Sequence, residues 1–227
     1  MQKIFFLLPP SEWKKSWGDF DEESVSFSFV KPYNIWSQAT EKDLKCKWVR
    51  YLEAIELNNN IEDGPFHRAI DRYSWVMYDG IDHSNMTQSG KEFFQENFLI
   101  FSGMYGIVRP HDVIWNYKLP IEATWLRHFW QTKITDIFHQ VKPDYIINLL
   151  PISYQKMIDF SQLTSNLVHI NFLTKKADQI VKMTHGVKKI KWEWIKSICE
   201  KGIENYNDFW WEVEKKWDEI HVNILYS

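Results

Sequence analysis

FSGMYGIVRPHDVIWNYKL, running from Phe101 to Leu119, is the stretch on which the fold turns. An apolar run ends in two glycines, Gly103 and Gly106, and a second apolar run leads to Arg109, Pro110, His111 and Asp112. A core strand has no use for that ending, and a surface loop has none for so apolar a beginning. The pattern predicts a strand over 97–101 that delivers its backbone into a tight turn, with Arg109 and Asp112 just beyond it.

Working outward, KIFFLL ended by Pro9-Pro10 predicts a first, fully buried strand. Residues 16–34 are polar and aromatic without clean periodicity and read as loop. TEKDLKCKWVRYLEAIEL, Thr40 to Leu57, predicts one helix: Leu44, Trp48, Tyr51 or Leu52, and Ile55 recur at helical spacing, and Thr40 is placed to cap it with Asp43 at the third helical position. Asn58 to Pro65 is a loop cluster. Ala69 to Met77 reads as a strand running into a tight turn at Tyr78-Asp79-Gly80. A short helix over 90–96, a helix over 122–141, strands over 144–150 and 167–173, and a basic helix over 188–202 follow. FWWEVEKKWDEIHVNILY at the tail predicts a hairpin. Strands alternate with helices, so the fold class is mixed α/β, with one domain over 1–227.

The chain has 227 residues and a net charge of -3, which argues against a generally basic nucleic-acid coat without excluding a local basic cleft. Its distinctive feature is 13 Trp, 10 Tyr and 15 Phe, mostly large rings for the core, with some left for boundaries and grooves. Cys46 and Cys199 stand alone and do not make a disulfide scaffold; both read as buried or inert. The eight histidines have no zinc-site spacing, so no metal and no cofactor are expected. The apolar run Ile4–Leu8 is too short for a signal or a span, which predicts a cytoplasmic protein with no membrane contact. No Walker loop, GxSxG elbow or HExxH is present.

The candidate site residues each carry two readings. Gly103 and Gly106 are turn glycines, or places where backbone amides approach a phosphate closely. Arg109 is a structural partner of Asp112, or a phosphate or base clamp that Asp112 orients. Ser11, Glu12 and Lys14 follow the first strand at its carboxyl end, the usual place for sites in α/β sheets. They cap a loop, or Glu12 and Lys14 supply an acid/base pair. Tyr78 and Asp79 are turn residues or face the same cleft. Tyr117 and Trp130 read as core before they read as base-stacking platforms. Lys188, Lys189, Lys191 and Lys196 around Trp192 and Trp194 read as a solvated helix face, with phosphate contact as the alternative.

Four segments in order resemble the YaaA family of peroxide-stress proteins. They are LLPPSEWK (Leu7 to Lys14), AIDRYSWVMYDGID (Ala69 to Asp82), the opening stretch Phe101 to Leu119, and HFW (His128 to Trp130) followed by YIINLLPISY (Tyr145 to Tyr154). The third is similar to the family's SGLYGLLRPLDxIxxYRL almost position by position. The resemblance implies a mixed sheet, a positively lined DNA-binding cleft and a helix-hairpin-helix-like element. It also implies a role in protecting DNA under oxidative stress. In one branch it implies conversion of 7-cyano-7-deazaguanine in DNA to the amide. On that reading Ser11, Ser102, Gly103, Gly106, Arg109, Asp112, Tyr117, Lys118 and Lys182 contact DNA, and Glu12, Lys14, Tyr78 and Asp79 are the candidate acid/base groups.

The chain also departs from the pattern. The family's K-K-A-R-G falls on Lys182, Met183, Thr184, His185 and Gly186; the arginine of its YRL is Lys118; the Ser and Glu of its NLASxEY fall on Pro151 and Ser153. Two function classes follow: an enzyme that hydrates the nitrile of a base in DNA, or a non-enzymatic DNA-binding stress protein. DNA is the expected partner in both, joined by other proteins of a DNA-modification cluster in the first.

Overall fold

The structure, a computed structural model, describes residues 2–29, 36–60, 63–121, 123–176, 179–183, 187–202, 210–216 and 219–226. Ten strands lie within them: β1 Ile4–Leu8, β2 Phe66–Arg68, β3 Phe98–Ser102, β4 Gly106–Val108, β5 Val113–Trp115, β6 Tyr145–Asn148, β7 Asn166–Lys176, β8 Gln179–Lys182, β9 Trp210–Lys216 and β10 Glu219–Tyr226. The α-helices are α1 Glu41–Leu44, α2 Val49–Asn59, α3 Ala69–Arg72, α4 Val76–Ile81, α5 Gln88–Asn97, α6 Thr124–Val141, α7 Ile152–Gln155 and α8 Val187–Lys201.

Eight strands form one mixed sheet in the order β4-β3-β1-β6-β7-β10-β9, with β8 paired on β7, while β2 and β5 pair separately. The strands β3, β1, β6, β7 and β10 run parallel to one another, as buried α/β strands do, while β4, β8 and β9 pair antiparallel at their sides. β1 is central because both of its faces are apolar. Phe5 meets Phe138 of α6 on one face, at 6.4 Å between ring centroids. Phe6 meets Phe93 of α5 and Trp194 of α8 on the other, at 6.3 and 6.4 Å. Alternation along a strand sends successive side chains to opposite faces, and each fully buried ring contributes about 1.5–3 kcal/mol.

The chain leaves β1 for β3 on one side, and later returns to β6 on the other before moving on to β7. The connections from β1 and β6 therefore run in opposite directions. Their carboxyl ends open a crevice at a topological switch point.

Two expectations are corrected. The helix over 40–57 is broken. Thr40 and Asp43 do form a reciprocal capping box, yet α1 ends after one turn, with Lys45 in the left-handed region at φ 53° and Trp48 at φ 57°. The apolar spacing behind that helix mixed two environments: Leu44 is fully buried, whereas Trp48 is 80% and Leu52 65% exposed. The strand over 69–77 is replaced by two short helices, α3 and the start of α4, joined at 73–75. Ala69, Ile70 and Tyr73 are buried at i, i+1 and i+4, a helical set that reads as an apolar run in one dimension. Tyr78, Asp79 and Gly80 accordingly lie inside α4, where Gly80 packs against Trp192 of α8. The β1, β3, β6 and β7 strands, the helices α5, α6 and α8, and the β9–β10 hairpin stand where the sequence places them, within a few residues.

Candidate functional site

Two pockets adjoin at the switch point. The larger, about 410 Å³, lies between the ends of β1 and β6; Pro9, Trp13, Trp75, Leu149, Tyr154 and Lys191 are among its walls. The smaller, about 20 Å³, is lined by Lys14, Tyr117 and Lys118 among others. Pro10, Ser11, Glu12 and Tyr154 belong to both linings, so the two share a wall. A volume of that smaller size holds one water molecule.

Lys14 is fixed by the strand-end loop. Its backbone forms a bridge with Tyr73, and the flanking residues tie down on both sides, Lys15 N donating to Arg72 O at 2.9 Å and Ser74 N to Trp13 O at 3.1 Å. Arg72, fully buried, holds that loop in turn: its guanidinium donates to the carbonyls of Lys15 at 2.6 Å, Trp17 at 2.8 Å and Pro65 at 2.5 Å. The Lys14 ammonium end is enclosed. It donates to Ser11 O at 3.1 Å and lies 4.3 Å from the Tyr117 ring centroid and 5.6 Å from that of Tyr73. Burial, reinforced by the nearby Lys118 and Arg72 charges and opposed by Glu12, pulls its pKa from 10.5 down to about 7.

Behind Lys14 runs a buried chain of hydroxyls. The amides of Met104 and Tyr105 donate to Ser102 Oγ at 3.2 and 3.1 Å, which lies 2.8 Å from Tyr117 OH, itself 2.9 Å from Tyr73 OH. With both amides on the serine oxygen, its own proton is left to bond Tyr117. Burial pushes the Tyr73 phenol up to about 12 and that of Tyr117 well above its ordinary value, so both stay protonated.

The structure brings Ser11, Glu12, Lys14, Tyr117 and Lys118 to the small pocket, with Ser102 one hydrogen bond behind Tyr117. Glu12 is exposed and pairs with Lys45 at 3.5 Å. Tyr78 is buried, and its hydroxyl donates to Pro9 O at 2.9 Å, holding the end of β1. Asp79 is exposed on α4 and lines neither pocket.

The other sequence candidates stand elsewhere. The 103–106 turn is buried, and its two glycines answer to packing. A Cβ on Gly103 would lie 2.3 Å from Leu119 O, and one on Gly106, at φ +71°, would lie 2.6 Å from the Trp130 ring. Trp130 Nε1 then donates to Gly103 O at 2.8 Å, locking α6 to the turn. Arg109 does not pair with Asp112 through its guanidinium. That group donates to the carbonyls of Gln95 and Glu96 at the end of α5, and only the Arg109 amide reaches Asp112, at 2.9 Å. Asp112 is buried and accepts from Ser28 Oγ at 2.5 Å. Lys182, on β8, donates to Asn171 Oδ1 at 2.9 Å. Residues 184–186, where part of the K-K-A-R-G signature falls, lie outside the described residues, as does the side chain of Lys188. Trp130 is a core residue, as expected; Tyr117, expected on the family reading to contact DNA, is likewise buried and reaches only the small pocket; Cys199 is buried with its thiol pKa pushed up by burial.

The sequence reading missed Tyr73 and Lys191. The sequence groups Lys191 with a solvated stripe, to which Lys189 belongs, but it lies on the inner face of α8 with Ile195 and Ile198 at i+4 and i+7. That spacing is a signal the sequence carries. Its ammonium donates to Leu149 O at 2.5 Å, and burial lowers its pKa to about 8. Among the described residues no group of three or more His, Cys, Asp and Glu is arranged to hold a metal ion, and no helix is long and apolar enough to cross a membrane.

Comparison with known proteins places relatives beside this geometry. A family model described as peroxide stress protein YaaA matches residues 6–211. A UPF0246 protein of Francisella tularensis subsp. novicida is 30% identical over 160 residues, covering 66% of this chain and 63% of the relative. A UPF0246 protein of Francisella philomiragia subsp. philomiragia is 29% identical over 203 residues, covering 83% of this chain and 79% of the relative. The match thus spans about 63% of the length of the Francisella tularensis relatives.

Proposed function

The chain belongs to the peroxide stress protein YaaA family, and from that premise we propose that it acts on DNA, hydrating the nitrile of 7-cyano-7-deazaguanine to the amide in the switch-point crevice. The observation that carries the reading is Lys14: an amine brought near neutrality, beside a pocket the size of one water, which adjoins a cavity of about 410 Å³.

Water addition to a nitrile needs a base for the water proton and a donor for the nitrogen. The neutral Lys14 amine takes the proton as the water oxygen bonds to the nitrile carbon. Returned to the nitrile nitrogen, that proton gives the imidic acid, which tautomerises to the amide. Burial, with Lys118 adding charge repulsion, keeps Lys14 short of protons, and its amine lies over the rings of Tyr73 and Tyr117. A base of this kind must leave the stack to react, and the half-exposed rings of Trp13 and Trp75, 5.8 Å apart at the cavity mouth, suit it.

The duplex or strand would be held by α1, α2 and the turn between them, our candidate for the helix-hairpin-helix-like element. Lys42, Lys45, Lys47 and Arg50 line one groove there, and the Glu12–Lys45 ion pair joins that groove to the crevice. Four phosphate contacts give a log-log salt slope of about -3 to -4. Incubating the protein with an oligonucleotide carrying 7-cyano-7-deazaguanine, then digesting to nucleosides, tests the reading. The amide nucleoside is expected between pH 6 and 9. Binding to the oligonucleotide without any amide, by folded protein, would sink the hydration and leave the non-enzymatic DNA-binding role.

A further inference from the structure

The larger cavity contains a second buried amine that the hydration chemistry does not use. Lys191 faces it from α8 and donates to Leu149 O at 2.5 Å; among the described residues no carboxylate lies within ion-pair distance of it. The surrounding walls are aromatic: Trp13, Trp75, Trp192 and Tyr154. At about 410 Å³ the cavity is in the range of small-molecule sites, and its flat-sided lining suits a planar ring better than a sugar or a flexible chain.

We propose that this cavity is a covalent carbonyl site, in which an aromatic or heteroaromatic aldehyde stacks among the tryptophans and forms an imine with Lys191. A lysine desolvated in an apolar pocket is the usual amine for this chemistry, because it keeps a lone pair at neutral pH. Burial brings Lys191 to about 8, so about a tenth of it is neutral at pH 7, against about four in ten thousand of an unperturbed lysine. A neutral amine can still donate one N–H to Leu149 O, which turns its lone pair away from that carbonyl.

The nitrogen adds to the carbonyl carbon, and the displaced π pair leaves an alkoxide that takes a proton. Tyr154, on the same wall, is the donor in this scheme, and its phenolate takes back the proton that the nitrogen later gives up. The carbinolamine then loses water, the nitrogen gives up its proton, and the imine forms with no change of oxidation state. None of this requires DNA, so the site stands or falls apart from the hydration reading.

The test is reductive trapping on the whole protein. The protein is incubated with 2-naphthaldehyde and sodium cyanoborohydride at pH 7, and the modified lysines are mapped by peptide mass spectrometry. The expected result is one dominant adduct on Lys191, formed at least tenfold faster than on the exposed Lys189 and saturating with aldehyde. Acetaldehyde, too small to stack, is expected to show no saturation. Lys191→Arg should lose the dominant adduct, and the wild-type map decides the matter even if that variant does not fold. Labelling that follows exposure, with Lys189 at or above Lys191, overturns the proposal, and so does a dominant adduct on Lys14.

Discussion

Replacing Lys14 by methionine removes a buried amine whose protonation the fold resists, and this makes stability depend on pH in a calculable way. In the unfolded chain the lysine keeps its proton up to about 10.5; in the folded protein it gives it up near 7. Between those values the unfolded state binds more protons, so the stability of the wild type climbs with pH through that window. The cost of Lys14 is therefore largest below pH 7 and falls away above it. From the two pKa values, that cost shrinks by about 2 kcal/mol between pH 7 and pH 9. Lys191 shifts in the same direction, but it is present in both proteins and cancels in their difference. Urea unfolding of wild type and Lys14→Met at pH 6, 7, 8 and 9 measures this directly. The stability difference between them should change by less than about 0.5 kcal/mol from pH 6 to 7 and then move by about 2 kcal/mol toward the wild type by pH 9. Parallel pH dependences would refute the reasoning, because they would mean that Lys14 titrates alike folded and unfolded.

Other perturbations follow from the same geometry. Gly106→Ala forces a side chain to φ +71° and into the Trp130 ring, and should cost about 2 kcal/mol or more in urea unfolding. Trp130→Phe shrinks a fully buried ring and leaves Gly103 O without its donor, an expected loss of about 2 kcal/mol or more in the same assay. Arg72→Met strands the carbonyls of Lys15, Trp17 and Pro65 and should cost about 3 kcal/mol or more, with a lower thermal midpoint. Arg109→Ala uncaps the end of α5, so it should lower stability while leaving the salt slope of the proposed DNA binding unchanged; Lys47→Ala with Arg50→Ala should instead reduce that slope by about 2.

Much of the fold was legible because it is written in local pattern. The unbroken apolar run Ile4–Leu8 had to be a strand buried on both faces, and Phe5 and Phe6 are just that. The Thr40–Asp43 capping box was readable from two residues. What failed were segments whose backbone is set by distant partners. Residues 69–72 form a helical turn from which Arg72 reaches carbonyls at 15, 17 and 65, partners that no window around Arg72 reveals. Residues 45–48 break a helix whose apolar spacing looked continuous.

The site divides the same way. Ser11, Glu12 and Lys14, singled out from their place after β1, and Tyr117 and Lys118, singled out from the resemblance, line one pocket. Arg109 and Asp112 looked like a site because they are close in sequence, yet their partners are the end of α5 and Ser28. Tyr73 was hidden by the wrong period assigned to its segment.

The measurement closest to the centre of the account is the fate of water oxygen at Lys14. Wild type and Lys14→Met are each mixed, in excess and in oxygen-18 water, with an oligonucleotide carrying 7-cyano-7-deazaguanine, and the nucleosides are weighed. The expected result is an amide carrying one heavy oxygen from the wild type, formed faster as pH rises through about 7, and none from the folded variant. Labelled amide formed equally fast by Lys14→Met, or no amide from either protein, would contradict it.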